Sequence, residues 1–235
     1  FALLLASASR PLSLLRAAEP EPAAPGVWDT LQASAEPLSP AALAAKTGWM
    51  AVPKDTAAVA FKGDAVISNG RLLAVLRKKS VAAELYAFGP AGAVLRSRLV
   101  LLAAEGAAAM RLEQVVLVEN AKGNAALEVS YKTAGGATFA ARFRLKKGEP
   151  LLETEPLAGA EALRVEAPCR FLVLPDFFAD DVVIDASKIS AVRAELPSEN
   201  FLVHLSGQAD SLAVCGFENR EQEVRVTLSG EGPQR

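Results

Sequence analysis

The densest chemistry in the chain lies in LPDFFADDVVIDA, residues 174–186, where Asp176, Asp180, Asp181 and Asp185 surround Phe177 and Phe178. Hard carboxylate oxygens this close together could hold Ca²⁺, which takes about six to eight oxygen ligands. Asp176, Asp180 and Asp181 are the candidate metal ligands, although the D-x-D-x-D-G spacing of an EF-hand loop is absent. Carboxylates paired across a cleft at roughly 5–10 Å could instead act as acid and base. The plainest reading is structural: Pro175 ends one strand, the aspartates bond backbone N–H groups of a turn, and a phenylalanine anchors it.

A second block, ELPSENFLVHL (residues 195–205), supplies Glu199 and the single histidine, His204. Histidine titrates near neutral pH and can serve as a general base. Asp180, Asp181, Glu199 and His204 therefore form the candidate catalytic set. Two-residue alternation places His204 with Leu202, opposite Phe201, Val203 and Leu205, and reads as an exposed or groove-lining position. No nucleophile elbow accompanies it. A third group, Arg77, Lys78 and Lys79 followed by Glu84 and Tyr86, mixes cations with an aromatic ring. It could meet an acidic glycan, or it could be the charged tip of a hairpin.

These groups sit on a strand-rich chain. From about Thr56 onward, short apolar runs (TAAVAFKG, DAVISNG, RLLAVLRKK, AELYAFG and their successors) are separated by Gly, Pro or Asn-Gly. Asn69-Gly70 predicts a hairpin, since both positions tolerate positive φ, and Gly135-Gly136 predicts another turn. In TFAARFRLKKG, Phe139, Ala141, Phe143 and Leu145 alternate with Ala140, Arg142, Arg144 and Lys146, which puts the rings inside and the cations outside. One helix is marked by Ser39 as cap, Pro40 in the first turn and Gly48 at the end; it is expected against the edge of the strands, with Trp28 anchoring the segment before it. The pattern predicts an all-β fold, an antiparallel β-sandwich or supersandwich with one short N-terminal helix.

The 235 residues are 51 % hydrophobic and 22 % charged, enough for a sizeable core, with a net charge of −2. No basic tract exceeds Arg77-Lys78-Lys79, so the stripe expected of a nucleic-acid binder is missing. Residues 1–18 (FALLLASASRPLSLLRAA) read as the remnant of a secretory signal, too short for a membrane span. Residues 19–55 read as a linker with the short helix, and 56–235 as the β-sandwich domain, a fragment of a longer exported chain that is secreted or periplasmic. Cys169 and Cys215 could pair in an oxidising compartment, stabilising the fold by roughly 3–4 kcal/mol, or be two separate buried thiols. Neither has a spacing that suggests zinc, and no cofactor is expected beyond the Ca²⁺ considered above.

The stretch NGRLLAVLRKKSVAAELYAFG and the β runs after it resemble the opening of a galactose-mutarotase-like β-supersandwich, over residues 56 to 230. The resemblance implies a fold that recognises or flanks a sugar; the mutarotase catalytic His and Glu have no counterparts here. FLVLPDFFADDVVIDA and ELPSENFLVHL are also similar to a group of large, secreted, uncharacterised bacterial proteins. Two functions follow as expectations. The first is a non-catalytic module of an exported bacterial protein, binding carbohydrate or packing against another domain of the same longer chain. The second is a carbohydrate-active domain, lyase, glycosidase or epimerase-like, that uses the Asp/Glu/His set.

Overall fold

The computed structural model of the protein describes residues 23–56, 59–90, 92–174, 181–189, 193–196, 201–206, 211–217 and 224–228. In chain order the first elements are β1 (Gly26–Asp29), helix α1 (Pro40–Ala45), β2 (Met50–Ala51), β3 (Ala65–Ser68), β4 (Leu72–Leu76), β5 (Ala82–Gly89) and β6 (Gly92–Leu102). Next come β7 (Arg111–Asn120), β8 (Asn124–Lys132), β9 (Thr138–Lys146), β10 (Leu152–Pro156) and β11 (Ala162–Glu166). The last are β12 (Phe171–Leu174), β13 (Val182–Asp185), β14 (Arg193–Leu196), β15 (Phe201–Leu205), β16 (Leu212–Gly216) and β17 (Val224–Thr227). All strand pairs are antiparallel, in a seven-stranded sheet β11-β6-β5-β4-β3-β1-β2, a four-stranded sheet β10-β9-β8-β7, a second four-stranded sheet β13-β12-β15-β16, and a ribbon β14-β17. Over the described residues the chain is mostly β with one short α-helix, and these sheets form no closed barrel.

The seven-stranded sheet and the sheet β10-β9-β8-β7 share the main core. Val27, Ala65, Ile67, Ala74, Leu76, Leu99 and Leu101 meet Leu117, Leu127, Val129, Tyr131, Phe139, Phe143 and Leu145 across it. The alternation read in TFAARFRLKKG holds: Phe139, Ala141, Phe143 and Leu145 are buried, while Arg142, Arg144 and Lys146 point outward into ion pairs. The turns hold too, with Gly70 at φ +82 and Gly136 at φ +85. Asn69 does more than turn the chain. Its Oδ1 accepts from Arg71 N (3.0 Å) and Leu72 N (2.9 Å), and its Nδ2 donates to the carbonyls of Lys146 and Glu149, both at 2.7 Å. One buried amide thus joins the β3–β4 hairpin to the β9–β10 hairpin of the facing sheet.

Strands begin before Thr56. VWDT carries β1, which pairs with β3 in full register (Val27↔Ile67, Trp28↔Val66). TAAVAFKG, in contrast, forms no strand over its described residues. The cause is a carboxylate: the N–H groups of Lys62 and Gly63 donate to Asp29, at 2.7 and 2.8 Å, rather than to a neighbouring strand. Gly63 is required by this approach, because a Cβ there would lie 2.3 Å from Gln32 N.

Helix α1 packs on a sheet face and not against an edge. Leu43 is fully buried among Val66, Leu73, Val75 and Tyr86, with Trp28, Leu38 and Trp49 around them. This cover leaves β3 buried at every residue and β4 at all but Leu72, which explains why AVIS and LLAVL read as unbroken apolar runs rather than alternating ones. Ser39 Oγ accepts from Ala42 N (3.2 Å) as expected of a cap, while the helix stops at Lys46 in the left-handed region (φ 48), two residues before Gly48. Lys46 Nζ lies 4.9 Å from the centre of the Trp28 ring.

Three groups of buried polar residues hold this cover down. Asp29, fully buried, accepts from Leu31 N as well as Lys62 and Gly63. Asp64, also fully buried, accepts from Ser34 N, Ser34 Oγ and Lys78 N. Arg77 donates through Nε and Nη2 to one oxygen of Glu84 (2.9 and 2.7 Å), while Tyr86 donates to the other (2.8 Å) and Nη1 reaches the Ala35 carbonyl (2.9 Å). Arg77, Glu84 and Tyr86, considered above as a glycan contact, are therefore consumed inside the fold. Burial and the Glu84 carboxylate push the Tyr86 phenol well up from 10.0.

Removing one partner of a buried pair strands the other charge. Arg77→Met should cost about 3–5 kcal/mol in urea unfolding, and adding Glu84→Met should recover part of the loss, because the two residues are coupled. A double variant as unstable as the summed singles would show that the pair does not act as a unit. Tyr131 gives the opposite case: its hydroxyl lies buried in the main core with no hydrogen-bond partner. Tyr131→Phe should raise stability by about 1 kcal/mol, since a buried unpaired donor costs that much or more; a lower urea midpoint would refute this.

Candidate functional site

The sheet β13-β12-β15-β16 carries the residues singled out for chemistry. β12 and β13 pair from Phe171↔Asp185 to Leu174↔Val182, so the two ends of LPDFFADDVVIDA lie on adjacent antiparallel strands, while residues 175–180 between them lie outside the described residues. Asp176, Asp180, Phe177 and Phe178, together with Glu199, lie outside the described residues. Asp181 is exposed just ahead of β13. Asp185 is a structural acid. Its Oδ1 accepts from Ser187 N (3.0 Å) and Ser187 Oγ (2.7 Å), capping the 3-10 turn Ala186–Lys188, and it pairs with Arg170. The hydrogen bond from Ser187, with Arg170 and Lys188 nearby, holds its carboxyl below the usual value. Among the described residues no group of three metal-ligating side chains occurs.

His204 sits in the middle of the sheet, opposite Leu172 on β12 and Ala213 on β16. The alternation was right about its companions and wrong about which side is buried. Leu202, on the same face, packs with Leu172, Leu174 and Cys169, and Ile184, Cys215, Phe217 and Val226 close over them. His204 therefore lies at the margin of a small core, with Nδ1 buried and without a hydrogen-bond partner. Desolvation lowers its pKa below 6.5, which keeps the ring neutral. His204 and Asp181 are not brought together: the register separates them by two strand spacings, about 10 Å, and by about as much again along the strands.

Cys169 and Cys215 both belong to this core as free thiols, each raised in pKa by burial. The register explains why no bridge forms. Arg170, next to Cys169, bonds the carbonyl of Leu205, while Cys215 faces Leu202. Three residues of strand, about 10 Å, separate those levels, and a disulfide needs Cα atoms within about 7 Å.

What the sequence did not mark is the other face of this sheet. The registers align Val183, Val173, Val203 and Val214 in one row across all four strands, and Phe171, Leu205 and Leu212 in the next, with Phe201 beyond. Val183 is 62 % exposed, Val214 57 % and Leu212 60 %. At the β13 end the second row closes on Asp185, Arg170 (over the Phe171 ring at 4.9 Å) and Lys188, so an apolar field is bordered by charge. The outer face of β10-β9-β8-β7 is its opposite. There Glu155, Arg142 and Glu128 line up in one row, and Glu153, Arg144 and Glu119 in the next, each arginine held between two carboxylates. Ala126, between Glu119 and Arg144, is small enough to let them meet over it. On that face the charges are largely paired, although Val116 ends the first row on β7.

His204 generates a pH test. A histidine whose pKa is lower folded than unfolded stabilises the fold fully above its ordinary 6.5 and progressively less as pH falls below it. The urea midpoint should therefore drop between pH 7 and pH 5, and His204→Leu should flatten that drop. An unchanged slope in His204→Leu would remove histidine from the account.

Compared with protein-family models, with curated proteins and with solved structures, the chain shows no match. Function must be argued from its surfaces.

Proposed function

We propose that this chain is a non-catalytic β-sandwich module of an exported bacterial protein, and that it packs against another domain of the same longer chain. The observation that supports this is the apolar field on β13-β12-β15-β16. Soluble surfaces scatter their exposed aliphatic side chains singly, whereas contiguous apolar rows with a polar border mark association. Val183 and Val214, the exposed members of the valine row, are costly to leave in water, since fully burying such a side chain gains about 1.5–3 kcal/mol.

Carbohydrate is the weaker ligand. Sugar platforms depend on exposed aromatic rings, and Phe88 is the single aromatic among the large exposed hydrophobics of the described residues. A carbohydrate-active site has less support still, since His204 is turned toward a core and lies far from Asp181. Export rests on the reading of residues 1–18; among the described residues no helix is long and apolar enough to cross a membrane.

Hydrogen exchange tests the docking. Amides of β12 and β15 should exchange more slowly in the parent protein than in this chain alone, and Val183→Asp in the parent should abolish the difference. The same variant should leave this chain's own stability within about 0.5 kcal/mol, as exposed substitutions do. Equal exchange in the two contexts, or specific binding of an oligosaccharide that Val183→Asp leaves intact, would overturn the proposal.

A further inference from the structure

A strand at the rim of a sheet exposes a row of unpaired N–H and C=O groups, and proteins guard such rims with charges, proline, bulges or shortness. Among the described residues the other rims carry at least one such device. β7 carries Arg111, Glu113 and Glu119 and two breaks in register; β10 carries Glu153, Glu155 and Pro156; β11 carries Arg164 and Glu166; β13 ends in Asp185; β2 is two residues long. β16 is different. Its sequence is LAVCG, without charge or proline; it pairs regularly with β15 over all five residues; and among the described residues no strand pairs with its outer edge.

We infer that the outer edge of β16 pairs with β16 of a second copy of this chain, antiparallel and centred on Val214. The side chains fit that two-fold. Val214 would face Val214 of the other copy, extending the valine row, and Leu212 would fall opposite Gly216. Leu212 is 60 % exposed, and a Cβ at Gly216 would meet nothing within 4 Å. Beside that space, on the same face, stands Phe201, the cross-strand neighbour of Gly216. Each copy's leucine thus has an apolar seat over the other's glycine, and the seat exists only in this register. The contact is closed by symmetry, so it yields a dimer and not a filament. It uses the edge of the sheet, whereas the partner-domain proposal uses its face; either can fail without the other.

Sedimentation equilibrium over a concentration series should show a monomer–dimer equilibrium. Val214→Lys would set two ammonium groups opposite each other, and like charges so placed repel; association should weaken about tenfold or more, with unchanged circular dichroism showing that the monomer still folds. On a Cys169→Ser, Cys215→Ser background, Val214→Cys should oxidise to a covalent dimer, because directly opposed residues bring Cβ atoms to about 5 Å. Val183→Cys, equally exposed at the other rim, should not. A native chain that stays monomeric, a Val214→Lys variant that dimerises as well as the native chain, or crosslinking as fast at position 183 as at 214 would overturn the inference.

Discussion

Two carboxylates with no access to water, Asp29 and Asp64, organise the N-terminal half of this protein. Each is surrounded by N–H and O–H donors from segments far apart in sequence: Asp29 gathers Leu31, Lys62 and Gly63, and Asp64 gathers Ser34 and Lys78. A buried carboxylate is tolerable only when its oxygens are filled with donors, so these contacts form together or fail together. Their joint effect is to lay residues 30–49 over the outer face of the seven-stranded sheet, where Leu43 and the two tryptophans complete a second core. The Arg77–Glu84–Tyr86 cluster closes the same cover from the β4–β5 side. Without that layer, Val66, Leu73 and Val75 would face solvent, and the central strands would have one wet side they are not built for.

The fold class was legible because local signals agreed with one another. Asn69-Gly70 and Gly135-Gly136 turned the chain where a strand ended, and the two-residue rhythm of β9 matched its burial. Legibility failed where the deciding partner was distant. Nothing local says that VWDT will pair with Ala65–Ser68 or that the N–H groups of FKG will turn to Asp29. His204 failed for another reason. Both sides of β15 are apolar, so alternation assigns companions without saying which side is covered. The candidate residues were legible as chemical types, but their separation is a property of register, and register comes from pairing.

The two four-stranded sheets show how the same backbone plan can be finished in opposite ways. On β10-β9-β8-β7, the rows around Arg142 and Arg144 set each arginine between two carboxylates. On β13-β12-β15-β16, the corresponding neighbours are valines and leucines, which satisfy nothing until something covers them. Ion pairs in water contribute little stability, roughly 0–1 kcal/mol each; their value on the first sheet lies in making that surface indifferent to partners. The second has no such indifference.

Asn69 links the two facing sheets through one amide, and that makes the molecule's chemical ageing unusually localised. An asparagine followed by glycine is the dipeptide most inclined to lose ammonia. Here Gly70 N is held by Ser68 Oγ and the amide by four backbone groups, which slows the ring closure that loss requires. Were it to happen, an aspartate would present oxygen where Nδ2 now donates to the carbonyls of Lys146 and Glu149, and a carboxylate can only accept. A clamp would become a repulsion, and a one-dalton change at a hairpin tip would be felt as a loosening between sheets.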